Sequence, residues 1–126
     1  MKKLWIVLAW TLISSPVWAQ QAVPGQSFGF DYLTADFTNF SVTRFEMRVD
    51  GDVWVDVAIP SVADDPNTLT GAHTYVVPLP PLPTGGHSVA FRACNTGGCG
   101  AASPEFSFTL VAFTSPANVR IVGGTP

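Results

Sequence analysis

Beyond residue 20, apolar and polar side chains alternate one by one along most of the chain. In "VTRFEMRV", Phe45, Met47 and Val49 fall on one side, and Arg44, Glu46 and Arg48 on the other. "SFGFDYL" groups Phe28, Phe30 and Tyr32, and "HSVAFRAC" groups Val89, Phe91 and Ala93. "VWVDVAI" sets Val53, Val55, Val57 and Ile59 against Trp54, Asp56 and Ala58. "EFSFTLVAF" sets Phe106, Phe108 and Leu110 against Ser107, Thr109 and Val111, and "HTYVV" is short and mostly apolar. Neighbouring side chains on a strand point to opposite faces, so a period of two predicts half-buried strands. No segment after residue 20 carries the 3.6-residue period of a helix.

The connections fit strands. Asp50-Gly51 between two alternating runs predicts a tight hairpin, because its turn needs positive φ at both positions. "ADDPNTLTG" reads as a loop. "PLPPLPTGG" places prolines at 78, 80, 81 and 83, and proline removes the N–H that a sheet interior requires. About six short strands with closely spaced turns predict an all-β fold, an antiparallel β-sandwich, as a single domain over residues 20–113. Residues 114–126, "SPANVRIVGGTP" after Thr114, form a tail that either adds an edge strand or stays loose.

The first nineteen residues follow a different pattern. Lys2 and Lys3 precede the uncharged run "LWIVLAWTLI", and "SSPVWA" then places Val17 and Ala19 at the small-residue positions of a cleavage site. This is the layout of a secretory signal peptide with cleavage expected between Ala19 and Gln20. The expected location is secreted or periplasmic, with no membrane anchor in the mature form. Removal of residues 1–19 takes both lysines and three of the four tryptophans. Four arginines against nine acids then leave a formal charge of −5. Nucleic acid requires clustered Lys and Arg for its phosphates, so this balance excludes it as a partner. An anionic membrane surface is excluded for the same reason.

Export bears on the only two cysteines, Cys94 and Cys99. They bracket Asn95-Thr96-Gly97-Gly98, a set of residues suited to a tight turn between neighbouring strands. An oxidising compartment and facing strand positions predict a disulfide across that turn. A zinc site needs four N or S ligands. His73 and His87 are the only histidines, and His87 lies about 20 Å from Cys94 along an extended strand. A redox pair would be spaced C-x-x-C beside a helix. No metal and no cofactor are expected.

"LPTGGHSVAFRACNTGGCGAAS" resembles the penultimate-strand region of fibronectin type III and related immunoglobulin-like modules. The positions that carry the resemblance are Leu82, His87, Val89, Phe91, Ala93, Asn95, Gly98 and Ser103, about a fifth of the mature chain. The resemblance implies an immunoglobulin-like sandwich. It also places His87 where the family has a tyrosine whose hydroxyl bonds back to the upstream chain. The family's B-strand tryptophan is missing, with Tyr32 or Phe30 left to fill its volume, and its Arg-Gly-Asp adhesion tripeptide is absent.

Few residues suggest chemistry. Asp50, Asp52 and Asp56 around the hairpin offer oxygen ligands for Ca²⁺, yet lack the further ligands of an EF-hand loop and read as a solvated turn. Asp64-Asp65-Pro66-Asn67 reads the same way. The histidines and serines include no G-x-S-x-G nucleophile elbow, so a hydrolase is not expected. "PLPPLP" contains P-x-x-P but serves as a rigid connection, and Asn39-Phe40-Ser41 matches a glycosylation sequon by chance. Trp54 alternates with valines and should face outward, where an indole stacks on a sugar or anchors a protein, with Tyr75 joining it if their strands are neighbours. The expectation is a non-catalytic exported binding, adhesion or spacer module. The alternative is a carbohydrate-binding accessory protein using the Trp54 face. Terminal strands could also pair with another chain by strand addition.

Overall fold

The computed structural model describes residues 20–123. Residues 1–19, expected to be a signal peptide, and the last three residues lie outside them. In chain order the elements are β1 (Gln20–Ala22), β2 (Ser27–Leu33), α1 (Thr34–Asn39), β3 (Arg44–Val49), β4 (Val55–Ala58), β5 (Ser61–Ala63), β6 (Ala72–Pro78), β7 (Gly85–Asn95), β8 (Gly98–Cys99) and β9 (Phe106–Leu110). They form two sheets. The larger runs β1-β9-β7-β3-β4, with β8 added to β7, and the smaller runs β2-β6-β5. This is an all-β sandwich of two packed sheets.

The alternation read from the sequence sets the faces. Phe45 and Met47 of β3 are buried at 1% and 7% exposure, while Arg44, Glu46 and Arg48 lie on the outer side. β7 pairs with β3 in register Met47↔Phe91 and Phe45↔Ala93, so Phe91 joins the same inner face. In the smaller sheet Phe30 lies directly opposite Tyr75. Facing residues of an antiparallel pair share a side, so an inward Phe30 brings Tyr75 inward with it.

The two inner faces meet through rings. Phe30 of the smaller sheet stacks on Phe91 of the larger with centroids 4.4 Å apart and on Tyr75 at 5.6 Å. Phe45 meets Phe30 edge-on at 5.0 Å and Tyr75 at 5.0 Å. Phe28 meets Phe108 at 5.2 Å. Such pairs contribute roughly 0.5–1.5 kcal/mol each beyond the area they bury. Leu79 and Leu82 of the proline-rich connection also pack on this core, which ties that connection down.

Several elements depart from expectation. β1 was not foreseen, and it runs parallel to β9 although every pairing was expected to be antiparallel. α1 was also unforeseen. Its six residues are too few to show a helical period, and its Phe37 packs on Phe45 and Tyr75 to close one end of the core. β5 precedes the acidic loop as a short strand on β6. β4 is shorter than its valine run. A bulge places Ala58 opposite Phe45 but Asp56 opposite Glu46, and only Val57 reaches the core. Val53, Val55 and Ile59 stand 70%, 49% and 43% exposed, because β4 is an edge strand and apolar burial needs a second layer. Phe106 is 48% exposed, unlike Phe108 and Leu110. The described part of the tail adds no strand.

The Asp50-Gly51 turn forms as expected. Their φ values are 55° and 69°, and the Asp52 N–H donates to the Val49 carbonyl at 3.0 Å. Cys94 faces Cys99 across the β7–β8 hairpin, and the two are joined by a disulfide. Gly98, at φ 142°, occupies backbone space that suits glycine. The Asn95 carbonyl oxygen of the side chain accepts the Gly97 N–H at 2.7 Å, while its amide donates to Phe40 at 2.8 Å. The strand expected in "EFSFTLVAF" forms as β9, and Gly98–Cys99 add the unexpected two-residue β8 before it. Replacing both cysteines by alanine should lower the unfolding free energy by about 2 kcal/mol, the loop-closure term for so short a loop. Urea denaturation of the double variant measures this, and an unchanged midpoint would contradict it.

Candidate binding face

The outer side of the larger sheet gathers most of the cations of the described chain. Arg44, Glu46 and Arg48 alternate outward on β3, and Arg92 lies opposite Glu46 on β7. Trp54 directly precedes β4, whose Val55 pairs with Met47, so the indole falls beside Arg48. Two guanidinium groups lie over its ring, Arg92 at 4.2 Å and Arg48 at 4.7 Å from the centroid. An aromatic face attracts cations at this range through its quadrupole.

Glu46 completes the network. Its Oε1 accepts from Arg92 Nε at 2.9 Å and Nη2 at 2.6 Å, and its Oε2 accepts from Arg44 Nε at 3.1 Å. The Arg92 hydrogen bonds, and then those from Arg44, hold the Glu46 carboxyl below its usual range against the opposing effect of burial. Arg44 reaches on to the Asn95 carbonyl at 3.4 Å, and Arg48 pairs with Glu105 at 3.6 Å. Trp54 thus faces outward as expected and is half-buried under its own arginines.

Tyr75 is not part of this face. It is 4% exposed, sits on β6 in the smaller sheet, and packs among Phe30, Phe45 and Phe37. Burial raises its phenol pKa above the ordinary value. The expected pairing of Trp54 with Tyr75 is therefore corrected: their strands belong to different sheets.

The acidic hairpin is also accounted for by its own contacts. The Asp50 carboxylate accepts the Ser88 N–H at 2.9 Å through Oδ1 and meets His87 Nδ1 at 2.7 Å through Oδ2. Asp56 Oδ1 accepts the Ala58 N–H at 2.7 Å and supports Ala58 at φ 57°, a strained value for alanine. Among the described residues, the one group close enough to share a metal ion is Glu46 with Cys94 and Cys99, whose sulfurs are already bonded to each other.

His87 takes the corner position that the resemblance assigned to it. Its Nε2 lies 2.7 Å from the Pro83 carbonyl, four residues upstream, while Nδ1 meets Asp50. A carboxylate and a carbonyl only accept, so both ring nitrogens carry protons in the best-bonded state. The Asp50 hydrogen bond, followed by that to Pro83, raises the His87 pKa, while burial opposes them. Hydrogen bonds from His87, then Ser88, lower the Asp50 pKa.

A second feature escaped the sequence reading. On the β2 side of the sandwich lies a cleft of ≈ 760 Å³, lined by Phe28, Phe30, Phe91, Phe106 and Phe108 together with the polar Gln20, Gln21, Gln26, Asp65 and Asn67. A cavity of ≈ 240 Å³ continues it past Phe30 and Phe91 to Asp31.

No protein-family model and no curated protein matches the chain. Among solved structures it is similar to the fibronectin(III)-like modules of Clostridium thermocellum CbhA, at 15% identity and a TM-score of 0.33, over 79% of this chain and 91% of that one.

The His87–Asp50 pair sets a pH window. A raised His87 pKa contributes stability in full below the ordinary value of 6.5, and loses it as pH rises through the folded value. A depressed Asp50 pKa contributes above 3.8 and loses it as pH falls through the folded value. Stability should therefore plateau between those values and decline on the alkaline side. His87→Gln should flatten the alkaline decline in thermal melts, whereas an unchanged decline would contradict the assignment.

Proposed function

We propose that the protein is an exported, non-catalytic immunoglobulin-like module that binds a protein partner through the Trp54 face of its larger sheet. The observation that carries this reading is the closure of the polar groups on one another. His87 is held by Asp50 and Pro83, and Glu46 is held by Arg44 and Arg92. Nucleophilic catalysis needs a base free to take a proton from a nearby hydroxyl or thiol. His87 is not free, and the thiols are joined.

Export is supported by the signal-peptide pattern and by the disulfide. The Trp54 face has the composition of a binding hot spot, an indole framed by arginines. A protein partner fits it better than a sugar. Sugar stacking needs an open aromatic face, and two guanidinium groups already lie over this ring.

The test is recovery of the protein from its native exported fraction. Its amino terminus should be Gln20, and the immobilised wild type should retain a defined protein. Trp54→Ala should weaken that complex by roughly 30-fold, the loss of a hot-spot side chain worth about 2 kcal/mol, with its thermal melt intact. Hydrolytic activity abolished by His87→Ala in a folded protein would overturn this reading. So would a glycan array that binds wild type but not Trp54→Ala.

A further inference from the structure

Of the four sheet edges, three are short: β1 and β5 have three residues each and β4 has four. Short edges offer little backbone for another chain to pair with. The fourth is β2, with seven residues, and β6 is its only strand neighbour among the described residues. β1 lies on β9 in the opposite sheet and leaves the outer edge of β2 open.

Nothing in β2 guards that edge. Ser27–Leu33 has no proline, lysine or bulge. Its one charge, Asp31, is engaged by its own sheet and loop: Oδ1 accepts from the Thr74 hydroxyl at 2.6 Å and Oδ2 from the Leu69 N–H at 2.9 Å. Beside this edge lies the ≈ 760 Å³ cleft, with Phe106 48% exposed at its margin.

The same chain carries a segment with the opposite deficiency. In "NVRIV", Val119, Ile121 and Val122 are 88%, 93% and 76% exposed and pack against nothing in their own chain. On an extended segment Val119 and Ile121 share one side and Arg120 takes the other. All three apolar residues are β-branched and favour strands. Arg120 is the described arginine outside the Trp54 network, and its side chain bonds only the nearby Asn118 carbonyl at 3.2 Å. Asp65 lines the cleft, an acid that the basic segment can meet.

We infer that the open edge of β2 and its cleft accept the segment Asn118–Val122 of a second copy of this chain, which adds as a strand and inserts Val119 and Ile121 among the phenylalanines. Backbone hydrogen bonds along β2 supply affinity, and the cleft supplies side-chain specificity. The contact joins different surfaces of the two copies, so the pair keeps one free edge and one free segment for further copies. The inference deepens the reading of the protein as a binding module by naming a partner, but uses a surface away from Trp54.

Sedimentation of the purified protein over a range of concentrations tests it. The weight-average mass should rise with concentration for wild type. Val119→Asp/Ile121→Asp removes the donor and should stay monomeric. Gly29→Lys charges the acceptor edge and should also stay monomeric. A Cβ at Gly29 meets Thr74 Cγ2 at 3.6 Å and the Tyr75 carbonyl oxygen at 3.9 Å, ordinary contacts that the fold tolerates. A mixture of the two variants retains one good edge and one good segment, and should form a dimer and nothing larger. Wild type that is monomeric throughout, including by docking its own segment, would overturn the inference. Oligomers that persist in the donor variant, or a mixture that stays monomeric, would overturn it as well. Partner capture through Trp54 is read separately with the donor variant, so either idea can fail alone.

Discussion

Four rings, Phe30 and Tyr75 from one sheet and Phe45 and Phe91 from the other, hold the two layers of this sandwich together. Each layer is too thin to be stable by itself, because a sheet must bury one face against another layer. The rings meet at centroid distances from 4.4 to 5.6 Å, and Phe45 is almost fully buried. With the inner faces fixed in this way, strand geometry dictates the rest. Arg44, Glu46 and Arg48 must point outward because Phe45 and Met47 point inward.

The outer features follow from that constraint. Outward cations on neighbouring strands come close enough to share Glu46 and the Trp54 ring. The hairpin turn brings Asp50 to the start of β7, where it engages Ser88 and His87. His87 in turn fixes the upstream connection at Pro83. The polar groups thus brace the outside of the frame by bonding to one another, which is the ground for proposing recognition as the work of its surface. Along the β2 side, part of the same aromatic core lines a cleft between the layers.

Much of this was legible from local pattern. The faces of β3 and β7, the Asp50-Gly51 turn and the Cys94–Cys99 bridge each depend on residues adjacent in sequence or across one turn. The corner role of His87 was legible through resemblance to fibronectin type III modules. Other features depend on pairing that alternation does not encode. The pattern shows which residues share a side but not which side is buried, so the conditional placing of Tyr75 beside Trp54 turned on a pairing that only its register with Phe30 decides. The valines around β4 alternate like a buried strand, yet an edge position leaves Val53 and Val55 in solvent. α1 is shorter than two helical turns and was hidden by its length. β1 is too short and too polar to announce a strand, and nothing local signals that it pairs across to β9.

The central claim is that the fold depends on the ring cluster joining the sheets. Urea unfolding of Phe45→Ala tests it most directly. Removing so buried a phenylalanine should reduce the unfolding free energy by about 3–5 kcal/mol, with the cavity adding to the lost transfer energy. A loss below about 1 kcal/mol, the range typical of a surface substitution, would contradict the account.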